Sequence, residues 1–503
     1  MHLSRRALLA SPLLLSRAEA QASPETVRFQ PEIEPLVRQI ESLEREKSAE
    51  WLAARMQSGI PYRQLLGAVF LAGVRNINPR PPGFALHCVF LGHAAHQLSL
   101  EAPSDVRALP LFYVLDDFKS AQARDASQKS GDYTMRALPA GRLTSAPQAA
   151  AELTTAMESW DFDRAERAVA SLATHSSAAG TFEVLWRYGA RDYRNIGHKA
   201  IFVANAARTL QTIGWQHAEP VLRSVVLGLL DFGREQIMNG FALNNQCFAA
   251  NEKRVRDSFS RLPANWAGPA DQDSSAVTRA LLKTIRTTSV DEACNDALAR
   301  LSKGHLTAGS VWDAVHLSAA ELRMSSTGPN AFVGVHAVTA ANGLHVAFLS
   351  ASDARLRLLL LLQGIGWIGQ FRHFAASKKE HLQQLAIDEL APAAETAAVS
   401  TVEEAVAAIP GKPSAAASLI LNLAKDSPSR RLYLNTVMRL SITKADEVHF
   451  YKYLVSLLES LPLVSTVWQP HLVAATAYYA KGPADPEPAW AQRTRDAIRT
   501  LKV

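Results

Sequence analysis

The chain is poor in cysteine, in strand-like alternation and in clustered charge. Cys88, Cys247 and Cys294 are its three cysteines among 503 residues, and no two are close in sequence. An odd, sparse set excludes a disulfide framework, so stability must come from a core. Period-two alternation of apolar and polar residues is nearly missing, which argues against a sandwich or barrel. The formal charge is +6 and no Lys/Arg run is interleaved with aromatics, so no nucleic-acid partner is expected. No Gly-rich loop ends in Lys-Ser/Thr, no G-x-S-x-G precedes a helix, and H-E-x-x-H does not occur. "GIGWIG" (364–369) has a glycine rhythm but follows a leucine-rich helix rather than a strand, so it does not mark a dinucleotide site. The longest apolar run, 356–371, contains Arg357, Gln363 and three glycines. It predicts a buried helix, and no transmembrane anchor is expected in the mature chain.

The sequence does have an export leader over residues 1–22. "MHLSRR" is a basic start, "ALLASPLLL" a short apolar stretch, and "SRAEAQA" offers small-x-small cleavage ending at Ala20 or Ala22. Adjacent Arg5 and Arg6, the short apolar stretch broken by Pro12, and Arg17 near the cleavage site favour the twin-arginine route. An ordinary secretory signal is the alternative. The expected partner is therefore an export machinery, and the expected location is periplasmic or extracellular. Cleavage after Ala22 removes three arginines and one glutamate and leaves a charge of +4.

The full chain is 48% hydrophobic, and after the leader it reads as helix after helix. Apolar residues recur at three- and four-residue spacing through 31–59, 61–77, 102–125, 149–175 and 197–235. The predicted fold is all-α: an array of antiparallel helix pairs, a helical repeat or toroid. It is either a single large domain or two packed lobes, 23–257 and 276–503. Residues 258–275, rich in Pro, Gly, Ser and Asp, form the candidate linker. A loose repeat places a histidine at the head of an apolar helix followed by a Leu/Val-rich helix. Its starts are His87, His198, His336 and, as a fourth candidate, His449. The spacing is too long for a one-unit solenoid.

Two of these segments share a pattern. His87, His93 and His96 match His336, Asn342 and His345 at offsets of six and nine, and His198, Asn205 and Arg208 nearly repeat it. On a straight helix His87 and His96 point to opposite sides, so one helix cannot supply a whole site. Convergence of one histidine from each of several helices can. Neutral imidazole is a common ligand of iron, zinc and copper. The candidate metal set is His87, His96, His198, His316 and His336. Asp192, Asp313, Asn205 and Asn342 are candidate supporting groups, Asp313 because it lies three residues before His316. The competing reading is a hydrogen-bonded polar core network. Cys88 reads as a small buried hydrophobe. Trp186, Trp215, Trp312, Trp367 and the run Leu356–Leu362 read as core.

The His-headed helices "GHKAIFVAN" and "GVHAVTAANGLHVAF", in an all-helical chain of this size, resemble the questin oxidase-like family. The likeness covers these two short segments. It implies oxidation of an aromatic polyketide with a reduced nicotinamide cofactor, and it points to His198 and His336. The export leader departs from that family's intracellular setting and puts substrate and cofactor in question. Two functions are therefore carried forward. One is a metal- or His-dependent oxidoreductase with an interior histidine-lined pocket. The other is a non-catalytic helical-repeat binding protein of the cell envelope, with a small molecule or an envelope component as its partner.

Overall fold

The computed structural model describes residues 26–127, 133–139, 143–231, 242–270, 275–377, 382–393 and 401–501. The expected export leader at 1–22 and a portion of the 258–275 stretch lie outside them. The protein is all-α. Among the described residues there are 22 α-helices and no strand, only two isolated bridges, Thr26 with Arg136 and Ser326 with Leu382.

Four helices form the interior: α4 (His87–Glu101), α9 (His198–Ile213), α15 (Ala331–Ser350) and α20 (His449–Ser460). Their packing closes a ring, with α4 against α9, α9 against α15, α15 against α20 and α20 against α4. Each inner helix is backed by its neighbours in sequence. α3 (Tyr62–Asn76) and α5 (Leu109–Ala126) lie on α4, and α8 (Ala178–Gly189) and α10 (Ala218–Leu229) lie on α9. α14 (Ala308–Ser325) and α16 (Ala354–Ala376) lie on α15, and α19 (Ser427–Lys444) precedes and touches α20. The weak sequence repeat thus has a physical basis: each unit supplies one inner helix and its outer partners.

The inner helices are apolar nearly all round because they face neighbours on every side. α15 has no charged side chain, and 83% of its most apolar window is buried in the protein. It is long and apolar enough to cross a membrane by length and composition. The reading of 356–371 as the longest apolar run therefore needs correcting: 331–350 is longer. The leucine run lies in α16, where Leu358 to Leu362 are buried. All three cysteines are buried and free.

Residues 258–275 do not separate one core from another. Helices α4 and α9 come from before that stretch and α15 and α20 from after it, yet they share one ring and one continuous hydrophobic core. Trp266 within the stretch is itself 6% exposed, and its carbonyl accepts a bond from the Ala308 amide at 2.7 Å. The described part of this turn-rich stretch is thus packed against the helix that follows it.

Candidate functional site

Three inner helices begin on a histidine, His87, His198 and His449, and the fourth carries His336 one turn in. The four rings meet inside the ring of helices. Centroids lie 5.0 Å apart for His87–His198, 4.5 Å for His198–His336, 4.8 Å for His336–His449 and 4.7 Å for His449–His87. The His87–His336 diagonal is 6.2 Å. Nε2 of His198 is 2.9 Å from Nε2 of His87 and 3.0 Å from Nε2 of His336. One ligand atom each from His87, His336 and His449 lie within 4.8 Å of one another.

The other ring nitrogens decide the tautomers. Nδ1 of His198 is 2.6 Å from the carbonyl oxygen of Asn195, and Nδ1 of His336 is 2.6 Å from that of Phe332. A carbonyl only accepts, so both Nδ1 atoms carry the proton and both Nε2 atoms present lone pairs. His449 donates from Nδ1 to the carboxylate of Glu447, which also takes the hydroxyl of Tyr479. Burial works against ionisation of Glu447, but these bonds hold its carboxyl down at about 2. Nε2 of His449 is buried without a hydrogen-bond partner. Burial also keeps His87, His198 and His336 neutral, pushing each well below the ordinary imidazole value, with the nearby Lys452 adding to the effect. Inward lone pairs, with outer nitrogens tied to oxygens, form the arrangement a transition metal requires of its imidazole ligands.

The segment that delivers His198 is strained. Asn195, Ile196 and Gly197 have φ of 55°, 51° and 81°. Three successive left-handed residues are unusual, and a β-branched one among them costs on the order of 1–2 kcal/mol. A hydrogen bond of 2.9 Å from Asn195 Nδ2 to Asp231 anchors the turn.

A second polar layer lies further along the same helices. His93 Nε2 is 2.5 Å from Glu459 Oε1. Arg208 donates to Glu459 Oε2 at 2.6 Å, to Asn342 Oδ1 at 3.0 Å and to Asn205 Oδ1 at 2.6 Å. These residues stand six to ten places after the four histidines. All four inner helices therefore run in the same direction, and the offset-six pattern encodes two stacked layers.

Of the sequence candidates, His87, His198 and His336 come together. His96 and His316 do not join them. His96 is half-buried and stacks on Tyr62 at 5.7 Å, because offset nine turns it to the far side of α4. His316 sits on the outer helix α14, where its Nε2 is 2.8 Å from Nδ1 of His345 and Trp312 stacks on His345 at 4.2 Å. The supporting groups serve elsewhere. Asp192 pairs with Lys199 at 2.8 Å, both side chains fully buried. Asp313 accepts from the amide of Ser465 at 3.0 Å and from its hydroxyl. Asn205 and Asn342 belong to the Arg208 layer. His449, recognised as a fourth repeat start but not as a site residue, completes the circuit; its place at the head of "HFYKYLVSLLES" is the signal that marks it.

No family model matches this sequence, and neither a curated protein nor a solved structure is similar to it.

Proposed function

We propose that this protein is a metal-dependent oxidoreductase whose ion sits within the circuit of His87, His198, His336 and His449. One observation carries the reading: the Nε2 lone pairs of His198 and His336 face each other across 3.0 Å. A polar network that stabilised only the core would alternate donors and acceptors. Two acceptors in contact call for a cation between them. Ligand bonds near 2 Å place neighbouring donor atoms roughly 3 Å apart, as the His198 contacts do.

Iron and copper suit the site better than zinc. Imidazole serves all three, but four neutral ligands leave the ion's positive charge uncompensated and favour its uptake of an electron. An oxidative role is also what the resemblance to the questin oxidase-like family implies. A centre drawn from helices more than a hundred residues apart assembles only in the folded chain, which fits export of a folded protein by the twin-arginine route to the periplasm or beyond. Replacing Arg5 and Arg6 together by Lys should then block export, and undiminished export would remove that argument.

The test is metal content by mass spectrometry on protein exported through its own leader. Stoichiometric iron or copper is expected, lost in His198→Ala and in His336→Ala and kept in His96→Ala and His316→Ala. Protein free of metal, with each site substitution costing only roughly 1–3 kcal/mol of stability, would overturn the reading. The histidines would then be a core network in a helical-repeat binding protein.

A further inference from the structure

The glycine rhythm "GIGWIG" (364–369) marks no nucleotide site, but it has a packing role in α16. A Cβ on Gly366 would collide with Sγ of Cys247, and one on Gly369 with the side chain of Val290. The gaps at these glycines admit two helices, α11 (Ala242–Ser258) and α13 (Val290–Ser302), which pack on α16 and on each other. Both bring a buried cysteine to the same level of α16. Cys247 Sγ is 3.3 Å from Oε1 of Gln363, and Cys294 Sγ is 3.6 Å from the carbonyl oxygen of Leu362, the preceding residue. The two thiols meet there. A hydrogen bond to Cys294, together with burial, pushes the Cys247 thiol well above its ordinary range. Cys88, the third cysteine, sits on α4 and bonds to the carbonyl of Ala85.

Joining the two sulfurs would strand no buried polar atom. Gln363 Oε1 keeps the side-chain amide of Asn251 at 2.9 Å, and Gln363 Nε2 donates to the carbonyl of Ala190 at 2.7 Å. The Leu362 carbonyl keeps the amide four residues on, as an interior helical carbonyl does. Only two weak S–H donors are lost, and their acceptors are already served.

We propose that Cys247 and Cys294 are a redox pair that closes into a disulfide when the chain meets an organic disulfide, stapling α11 to α13 across the 258–275 stretch. One cysteine thiolate attacks the donor disulfide and releases a donor thiolate. The second cysteine thiolate then attacks the mixed disulfide, forms the Cys247–Cys294 bond and releases the other donor thiolate. The cysteines lose two electrons and two protons in all, and the donor takes up both as two thiols. Disulfides persist in exported proteins, the setting that the leader predicts. The pair needs no metal and stands apart from the histidine circuit.

The test reduces the full chain, removes the reductant and incubates the folded protein with oxidised glutathione. The incubation is repeated just below the unfolding midpoint in denaturant, where buried thiols are reached. Each sample is then unfolded in an alkylating reagent and its peptides are weighed. Free thiols should fall from three to one, with Cys88 alkylated and one linked peptide holding Cys247 and Cys294. Cys88→Ser should end with no free thiol and the same linked peptide. The closed wild type should melt roughly 3 °C above its reduced form, the order expected of one staple in a chain of this length, and Cys294→Ala should show no such gap. Three free thiols under both conditions would overturn the inference. So would glutathione left on both Cys247 and Cys294 with no bond between them, or a link that runs through Cys88.

Discussion

The carbonyl oxygen of Asn195 holds Nδ1 of His198 at 2.6 Å from the first residue of a left-handed turn. The backbone there is strained in order to aim one ring. Gly197, the last residue of the turn, has φ of 81°, and a Cβ on it would lie 2.9 Å from Cβ of Ala340 and 3.3 Å from the Trp367 ring. Gly197→Ala should therefore destabilise the protein by on the order of 2 kcal/mol and lower its metal content. Denaturant melts and metal analysis of the same preparation check both effects; an unchanged midpoint with full metal would refute the link between turn and site.

Glu447 bears on the centre through His449. Removing its carboxylate in Glu447→Ala leaves Nδ1 of a buried imidazole without an acceptor and frees the ring to rotate. Metal affinity should fall by roughly 10–100-fold, the usual consequence of losing a ligand's orienting partner. Competition with a coloured chelator measures it. Glu447→Gln keeps an accepting oxygen and should retain most of the affinity.

The Arg208–Glu459 pair tests the second layer. Arg208→Met strands a carboxylate that is only 24% exposed, with His93 and Asn342 as its remaining partners. The loss should be on the order of 3 kcal/mol. Arg208→Met combined with Glu459→Leu removes both charges and should cost less than the single change. A double-mutant cycle by chemical denaturation reads the difference, and additive losses would mean that the pair contributes nothing as a pair.

Asp117 sets a pH dependence. Burial, partly offset by Arg124 and Lys452, raises its carboxyl from 3.8 to about 6. The folded state binds this proton more tightly than the unfolded chain does. Asp117 is therefore harmless below about pH 4, and its penalty grows as the pH climbs to about 6 and levels off above that. Asp117→Asn should be more stable than the wild type by about 1–3 kcal/mol at pH 8 and equal to it near pH 4. Melting curves across that range would show the gap opening; a constant gap would mean that the group titrates normally.

Much of the fold is legible in the sequence because helical periodicity is a local property. The heads of the inner helices are legible too, since a histidine before an apolar run stands out in any window. Rotation about a single helix is equally local: His96, at offset nine from His87, has to face away, and it does. Pairing across the chain is not legible. His316 looks like its fellows in sequence, and only the packing of α14 on the outside of α15 separates it from them. Asp192 lies six residues before His198 and reads as its partner, but Lys199, fully buried, needs that carboxylate more. His449 reads as a repeat start, but nothing local tells whether a fourth repeat closes a ring.

The common direction of the inner helices has an electrical consequence. An α-helix carries about half a positive elementary charge at its first turn. α4, α9 and α20 all start at the histidine circuit, so three such ends point into one enclosed space of low polarizability. That field opposes a second proton on any imidazole and disfavours a highly charged ion. It would lift the reduction potential of a bound metal, holding it in its lower oxidation state until an electron acceptor or a negatively charged co-ligand arrives.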